Sequence, residues 1–332
     1  MKVIVKFALV ILLAFMVCAA TVSSASAIEI EVAAELLNAG AGLPSYRAGD
    51  TFRIVGGVQL NATGWAALRR ASAAFALVLD NRQTSIPENA MNNALEPNAN
   101  ALTSITGEHV REVGRRAFFG SISLVRVNFP SLTTIGDEAF YICASLESIT
   151  LSGVTSLGRN AFRGCRSLTQ VSMPDLVIVP EGAFANCTAL ANLYLPSART
   201  IGRNAFENNS SLAVISLPAA TVVELGAFSM ASSVTELSLP SVTRIESGAF
   251  SGCTALRIIR LGDADPSVAQ DAFVGVGRVT IYSNRNSLTY RANFPPHDLS
   301  ISGDSSSSGC NAGLHLWAIL LCAAFFLKTK RG

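Results

Sequence analysis

The stretch LTTIGDEAFYICASLESITL, Leu132 to Leu151, returns almost unchanged as VTRIESGAFSGCTALRIIRL, Val242 to Leu261. The two copies start 110 residues apart, and the phenylalanines between them explain the distance. Phe118, Phe140, Phe162, Phe184, Phe206, Phe228 and Phe250 fall every 22 residues, and Phe273 follows after 23. An alanine stands directly before each. Self-similarity at one fixed period of this length marks a solenoid.

Counted from each Phe, apolar residues recur six, nine and eleven positions later, as in Leu146, Ile149 and Leu151 or Leu256, Ile259 and Leu261. Others recur at fourteen and seventeen, as in Leu132 and Ile135. The phrase L-x-x-L-x-L is a turn followed by a short apolar–polar alternation, the period of a strand. One such strand cannot bury its apolar side alone. Stacked in parallel at about 4.8 Å, the series forms one sheet over a shared core. The segment around PSLTTI makes the far side, GDEAF turns the corner, and Phe fills the space between. Burying a Phe stabilises by ~2–3 kcal/mol, and truncation to Ala typically costs ~3–5 kcal/mol.

These residues carry a resemblance. The L-x-x-L-x-L core at this period resembles leucine-rich repeats. The added phrase IG-x-x-AF-x-x-C-x-x-L, read at Ile135 to Leu146, is similar to the BspA-like subfamily of surface proteins. The likeness extends from about Phe75 to Phe294. It implies an α/β-type or mainly β solenoid: a right-handed stack with a parallel sheet on the concave face, closed by caps. It also implies display at a surface and contact with cells or host matrix.

The rest of the chain divides around the repeats. Residues 1–27 read as an export signal: a basic start, an apolar stretch from Phe7 to Ala20, and a small-x-small cleavage site ending at Ala27. A retained anchor is the alternative. Cys18 does not read as a lipoprotein site, because Val17 before it is not small. Residues 28–74 read as an N-terminal cap with a strand in TFRIVGGVQL and a helix opened by Thr63. Repeats follow over 75–276, with FALVLD as their first strand, then a C-terminal cap over 277–301. Residues 302–313 form a Ser/Gly linker, and 314–332 an apolar tail with a basic end. From Leu314 to Leu327 a helix spans ~21 Å, and from Cys310 ~27 Å, against the ~30 Å of a bilayer core. The tail, with Gly309 and Cys310 as its processing residues, resembles bacterial sorting segments of the Synerg-CTERM type. It implies a membrane contact or a processed signal.

Composition narrows the function. Net charge is +2 and only 14% of residues are charged, with no Lys/Arg run before the extreme C-terminus. Nucleic acid is therefore not an expected partner. No motif for a nucleophile, metal or phosphate is present. His109, His297 and His315 stand apart from any such group, and no cofactor is expected. The pair Asp137–Glu138 is matched in other repeats by Arg159–Asn160 and Glu181–Gly182, which marks a solvated turn. N-x-S/T triplets at Asn61, Asn186, Asn208 and Asn209 arise readily in a chain of this composition.

Cys143, Cys165, Cys187 and Cys253 occupy one slot, three residues after each Phe, where Ser121 and Asn209 stand in other repeats. Rungs one strand apart are within reach of a disulfide. Pairing would leave a thiol over, and Asn and Ser in the same slot favour free thiols that cap backbone groups. No C-x-x-C or nearby His completes a zinc site.

The x residues of each strand phrase should form the concave surface. That face is small and polar in the middle, with Arg126 toward one end and Glu236, Arg257 and Arg260 toward the other. Tyr194 is the one aromatic anchor among these positions. The expected partner is a protein or glycan on a cell or matrix surface, and the expected role is adhesion. A spacer protein with no specific ligand is the alternative, and an enzyme is not expected.

Overall fold

The computed structural model describes residues 29–56, 58–94, 101–264, 266–282 and the pair 300–301. They form a parallel-strand β-solenoid of about 11 turns with a period near 22 residues, mostly β with few helices. Face strands pair in register with the same position one turn later: Arg126 with Ser148, Gln170 with Asn192, and Glu236 with Ile258. A second set of two-residue strands lines the back, as in Thr134–Ile135 beside Ser156–Leu157.

The apolar series of the sequence points inward. Leu124, Phe129, Leu132 and Ile135 are buried, and so are their counterparts Leu256, Leu261, Val242 and Ile245. Every Phe of the 22-residue series, Phe118 to Phe273, is buried, and consecutive rings of the series stack 5.1–5.5 Å apart. The alanine before each Phe is buried too, since a larger side chain would meet the next turn.

The corner holding each Phe is a ladder of its own. Glu138 N–H donates to Arg159 O at 2.8 Å, Phe140 N–H to Ala161 O at 2.8 Å, and Ile142 N–H to Arg163 O at 2.8 Å. Alternate residues must turn their N–H the same way, so the residues two before and two after Phe adopt left-handed backbone. Gly182 (φ +61°) and Gly164 (φ +79°) fit this freely, and Asn160, Asn186 and Asn208 tolerate it. Ile142 (φ 56°) and Met230 (φ 62°) are bulky exceptions, each beside a glycine of the next turn, Gly164 and Gly252.

The cap region joins the stack. Strands Glu29–Ala33 and Asp50–Val55 extend the same face sheet, so FALVLD supplies its third strand, Phe75–Val78. TFRIVGGVQL contributes a strand only as far as Val55. The helix opens at Asn61, two residues earlier than Thr63: the Asn61 side chain accepts from Thr63 N at 2.9 Å and Gly64 N at 3.1 Å. Thr63 lies already inside the first turn, where its own N–H needs that acceptor. From the helix end, Arg69 donates to Asn89 O and Ala90 O at 3.1 and 2.8 Å. It serves there as a preceding turn's N–H groups would.

Pairing lapses in both sheets at one place, and on the face once more between Asn192–Tyr194 and Val214–Ser216. Ser148–Ile149 and Gln170–Ser172 are not paired on the face, nor are Ser156–Leu157 and Ile178–Val179 on the back. That turn carries Ser152–Gly153 where its neighbours carry Pro130 and Pro174, and Ile149 and Leu157 are only partly buried. The corner ladder and the Phe stack run on across the gap.

Candidate binding face

On the outward side of the face strands, side chains form two columns. Toward the N-terminal end they are small or polar: Ser104, Arg126 and Ser148 in one column, Thr106 and Asn128 in the other. Arg126 is exposed and makes no ion pair among the described residues. Thr150 Oγ1 donates to Asn128 Oδ1 at 3.2 Å.

The C-terminal half differs. Val214, Glu236, Ile258 and Thr280 form one column, and Ser216, Ser238, Arg260 and Tyr282 the other. Glu236 and Arg260 sit diagonally across neighbouring strands. Arg260 Nε donates to Glu236 Oε1 at 2.6 Å, and its guanidinium lies 4.9 Å from the centre of the Tyr282 ring. An ion pair this accessible contributes under ~1 kcal/mol. Its effect is geometric: it holds Arg260 flat against an aromatic face. Tyr194 is 43% exposed, Val214 50% and Tyr282 37%. Tyr282, Val214, Ile258 and the ion pair thus share one paired sheet, and Tyr194 is exposed on the separate pair of face strands that precedes it.

The residues singled out from sequence are not all brought together. Glu236 and Arg260 meet. Tyr194 lies on the same face, paired in register with Ser172. Arg257 does not join them: it precedes its strand, and its guanidinium donates to Thr254 O and Leu256 O at 2.9 and 2.8 Å, bracing the turn. Ala27, Gly309 and Cys310 lie outside the described residues, as do the export signal and the tail. Tyr282 was assigned to the cap by sequence. Its signal was the alternation VTIY after Arg278, which continues the strand series once the extra residue before Phe273 is allowed for.

The cysteine slot is internal. Cys143 Sγ donates to Phe118 O at 3.1 Å, Cys165 to Phe140 O at 3.2 Å, Cys187 to Phe162 O at 3.1 Å and Cys253 to Phe228 O at 3.3 Å. All four are free and buried. Burial raises the pKa of Cys165 and Cys187 well above the ordinary value and pushes Cys253 up to about 12. Thiols kept neutral in this way are poor nucleophiles and poor metal ligands. Among the described residues no cluster of His, Cys, Asp or Glu is placed to hold a metal, and no helix is long and apolar enough to cross a membrane. Asp137 and Glu138 serve the corner: Asp137 accepts from Arg159 N at 2.7 Å and Glu138 from Arg116.

A family model for the BspA type leucine rich repeat region matches six copies across residues 84–213 and 221–294. The chain belongs to this BspA-type leucine-rich repeat family. No curated protein sequence matches it. Among solved structures it is similar to a leucine rich cell surface protein from Faecalibacterium prausnitzii, at 19% identity over 71% of this chain and 91% of that one, TM-score 0.39. It is similar also to the pneumococcal vaccine antigen PcpA, at 15% identity over 86% and 96%, TM-score 0.40. A third is the Treponema protein given as T. pallidum leucine rich repeat protein, at 18% over 71% and 87%, TM-score 0.32. BspA-type repeats are generally non-enzymatic and typically found in surface proteins.

Proposed function

We propose that this BspA-type protein is exported, displayed at the cell surface and attached by its C-terminal tail, and that it adheres to a protein or glycan partner through the C-terminal half of its face sheet. One observation carries the reading: Val214 and Tyr282 stand outward on the sheet that carries the Glu236–Arg260 pair, Tyr282 against Arg260, and Tyr194 is exposed on the face strands before it. Large apolar side chains are exposed elsewhere as well, but Ile142 and Met230 belong to the corner and Ile178 to the back, not to this outward face. Aromatic residues and Arg are the side chains that most often dominate interface energies. The test is attachment of the purified protein to matrix-coated and glycan-coated surfaces, for the parent and for Tyr194→Ala/Tyr282→Ala. Reduced attachment with unchanged thermal unfolding supports the reading. Attachment equal to the parent's removes the face from consideration.

A spacer role is the second reading, favoured by the bland polar columns around Arg126 and Ser148. It predicts no saturable attachment to any of these surfaces. The anchoring part is tested apart from binding, by mass spectrometry of the C-terminus from fractionated cells. A chain ending near Gly309 or Cys310 supports a processed sorting signal, and an intact chain in the membrane fraction supports a simple anchor.

A further inference from the structure

The slot after each Phe is a column of donors. The side chain three residues after a Phe reaches the carbonyl oxygen of the Phe one turn before. Cys143, Cys165, Cys187 and Cys253 do this with Sγ, and Asn209 with Nδ2 to Phe184 O at 3.0 Å. Two rungs lack a side-chain donor, Ala231 and Val276, but beside Val276 the Phe250 carbonyl still accepts from Cys253 N–H at 3.2 Å. Residue 231 is alanine, so nothing reaches Phe206 O from the slot. The backbone does not compensate. Cys165 N–H donates to Phe162 O at 3.1 Å and Ala231 N–H to Phe228 O at 3.2 Å, but Asn209 N–H makes no such bond to Phe206 O. Directly below the alanine, Asn209 is fully buried and its Oδ1 has no hydrogen-bond partner.

Two buried acceptors therefore converge on a rung whose side chain withholds a donor. Leaving either unmet is costly in an apolar interior. The Asn209 amide cannot simply be reversed, because its Nδ2 is needed at Phe184 O. Alanine is also smaller than the cysteine that stands in the slot at Cys253, and only about 10–15 Å³ is needed to seat one water. We infer that a single water molecule is held inside the stack beside Ala231, donating one proton to Asn209 Oδ1 and the other to Phe206 O. A water suits the site better than a cation, which would lack any carboxylate, or an anion, which would face two oxygens. This ligand completes the donor column at the rung where neither the slot side chain nor the backbone does.

A high-resolution crystal structure of the protein is the direct test. Density for a water within about 2.7–3.2 Å of both oxygens is expected. An empty site, or Asn209 Oδ1 turned onto a protein donor, overturns the inference. Magnetic relaxation dispersion of water oxygen gives a second reading in solution. Ala231→Cys installs the column's usual donor and should remove one long-lived internal water relative to the parent. An equal number in a folded variant overturns the inference, and should the variant not fold, the parent's density decides.

Discussion

The inside of this solenoid and its outward face follow opposite rules. Inside, one residue type recurs at each rung: Phe140, Phe162 and Phe184 stack with centroids 5.1–5.3 Å apart and rings within 3° of parallel. Outside, the same register carries Ser148, Gln170, Asn192, Val214, Glu236 and Ile258 in turn. Both columns follow the same 22-residue repeat, so backbone periodicity does not explain the difference. Packing does. An interior ring touches the turns above and below, and a change of volume there is felt by both. An outward side chain meets water, and substitutions cost little, so the face is free to acquire a binding chemistry.

That contrast can be broken experimentally, beginning with the spine. Phe184→Ala is expected to lose ~3–5 kcal/mol of stability in chemical denaturation. A loss below ~1 kcal/mol would mean that the ring stack is not what fixes the repeat. On the face, Arg260→Ala should weaken attachment by about thirtyfold, on the order of 2 kcal/mol, with the midpoint of unfolding unchanged. Titrating an adhesive surface with parent and variant measures this.

The cysteine slot sharpens the comparison through pH. The folded Cys253 thiol, pushed up to about 12 by burial, stays neutral while an unfolded thiol ionises above about 8.5. Its contribution to stability is therefore complete below about 8.5 and falls as pH rises toward the folded value, at up to about 1.4 kcal/mol per pH unit. Cys253→Ala should flatten the alkaline decline in unfolding temperature by one such proton, and identical slopes would contradict the burial. A smaller effect is expected at the corner. Ile142 holds a left-handed backbone that Asn186 and Asn208 adopt more easily, so Ile142→Asn should gain about 1 kcal/mol in thermal unfolding. The least change belongs to the polar half of the face, where Arg126→Ala should alter stability by less than ~0.5 kcal/mol and attachment not at all. Attachment lost on that substitution would move the binding surface toward the N-terminal end.

The sequence by itself determined the repeat, its register and the identity of the core. Phe every 22 residues with fixed apolar offsets leaves one way to bury those groups, because a solenoid turn can hide its apolar side only against the next turn. It also showed that the slot of Cys143 was small and semi-polar, since Ser and Asn substitute there. The tertiary structure alone decided where longer side chains go. Arg257 and Arg260 are three residues apart and look equivalent in the sequence, yet one braces carbonyls of its own turn and the other crosses a strand to Glu236. The cap helix shifted its start to Asn61 because capping depends on which oxygen reaches the free N–H groups, a matter of backbone angles that composition does not encode. Tyr282 became part of the face, and Glu29–Ala33 part of the sheet, through pairing with strands distant in sequence. Local pattern fixes what is buried. Contacts across turns fix which exposed groups meet.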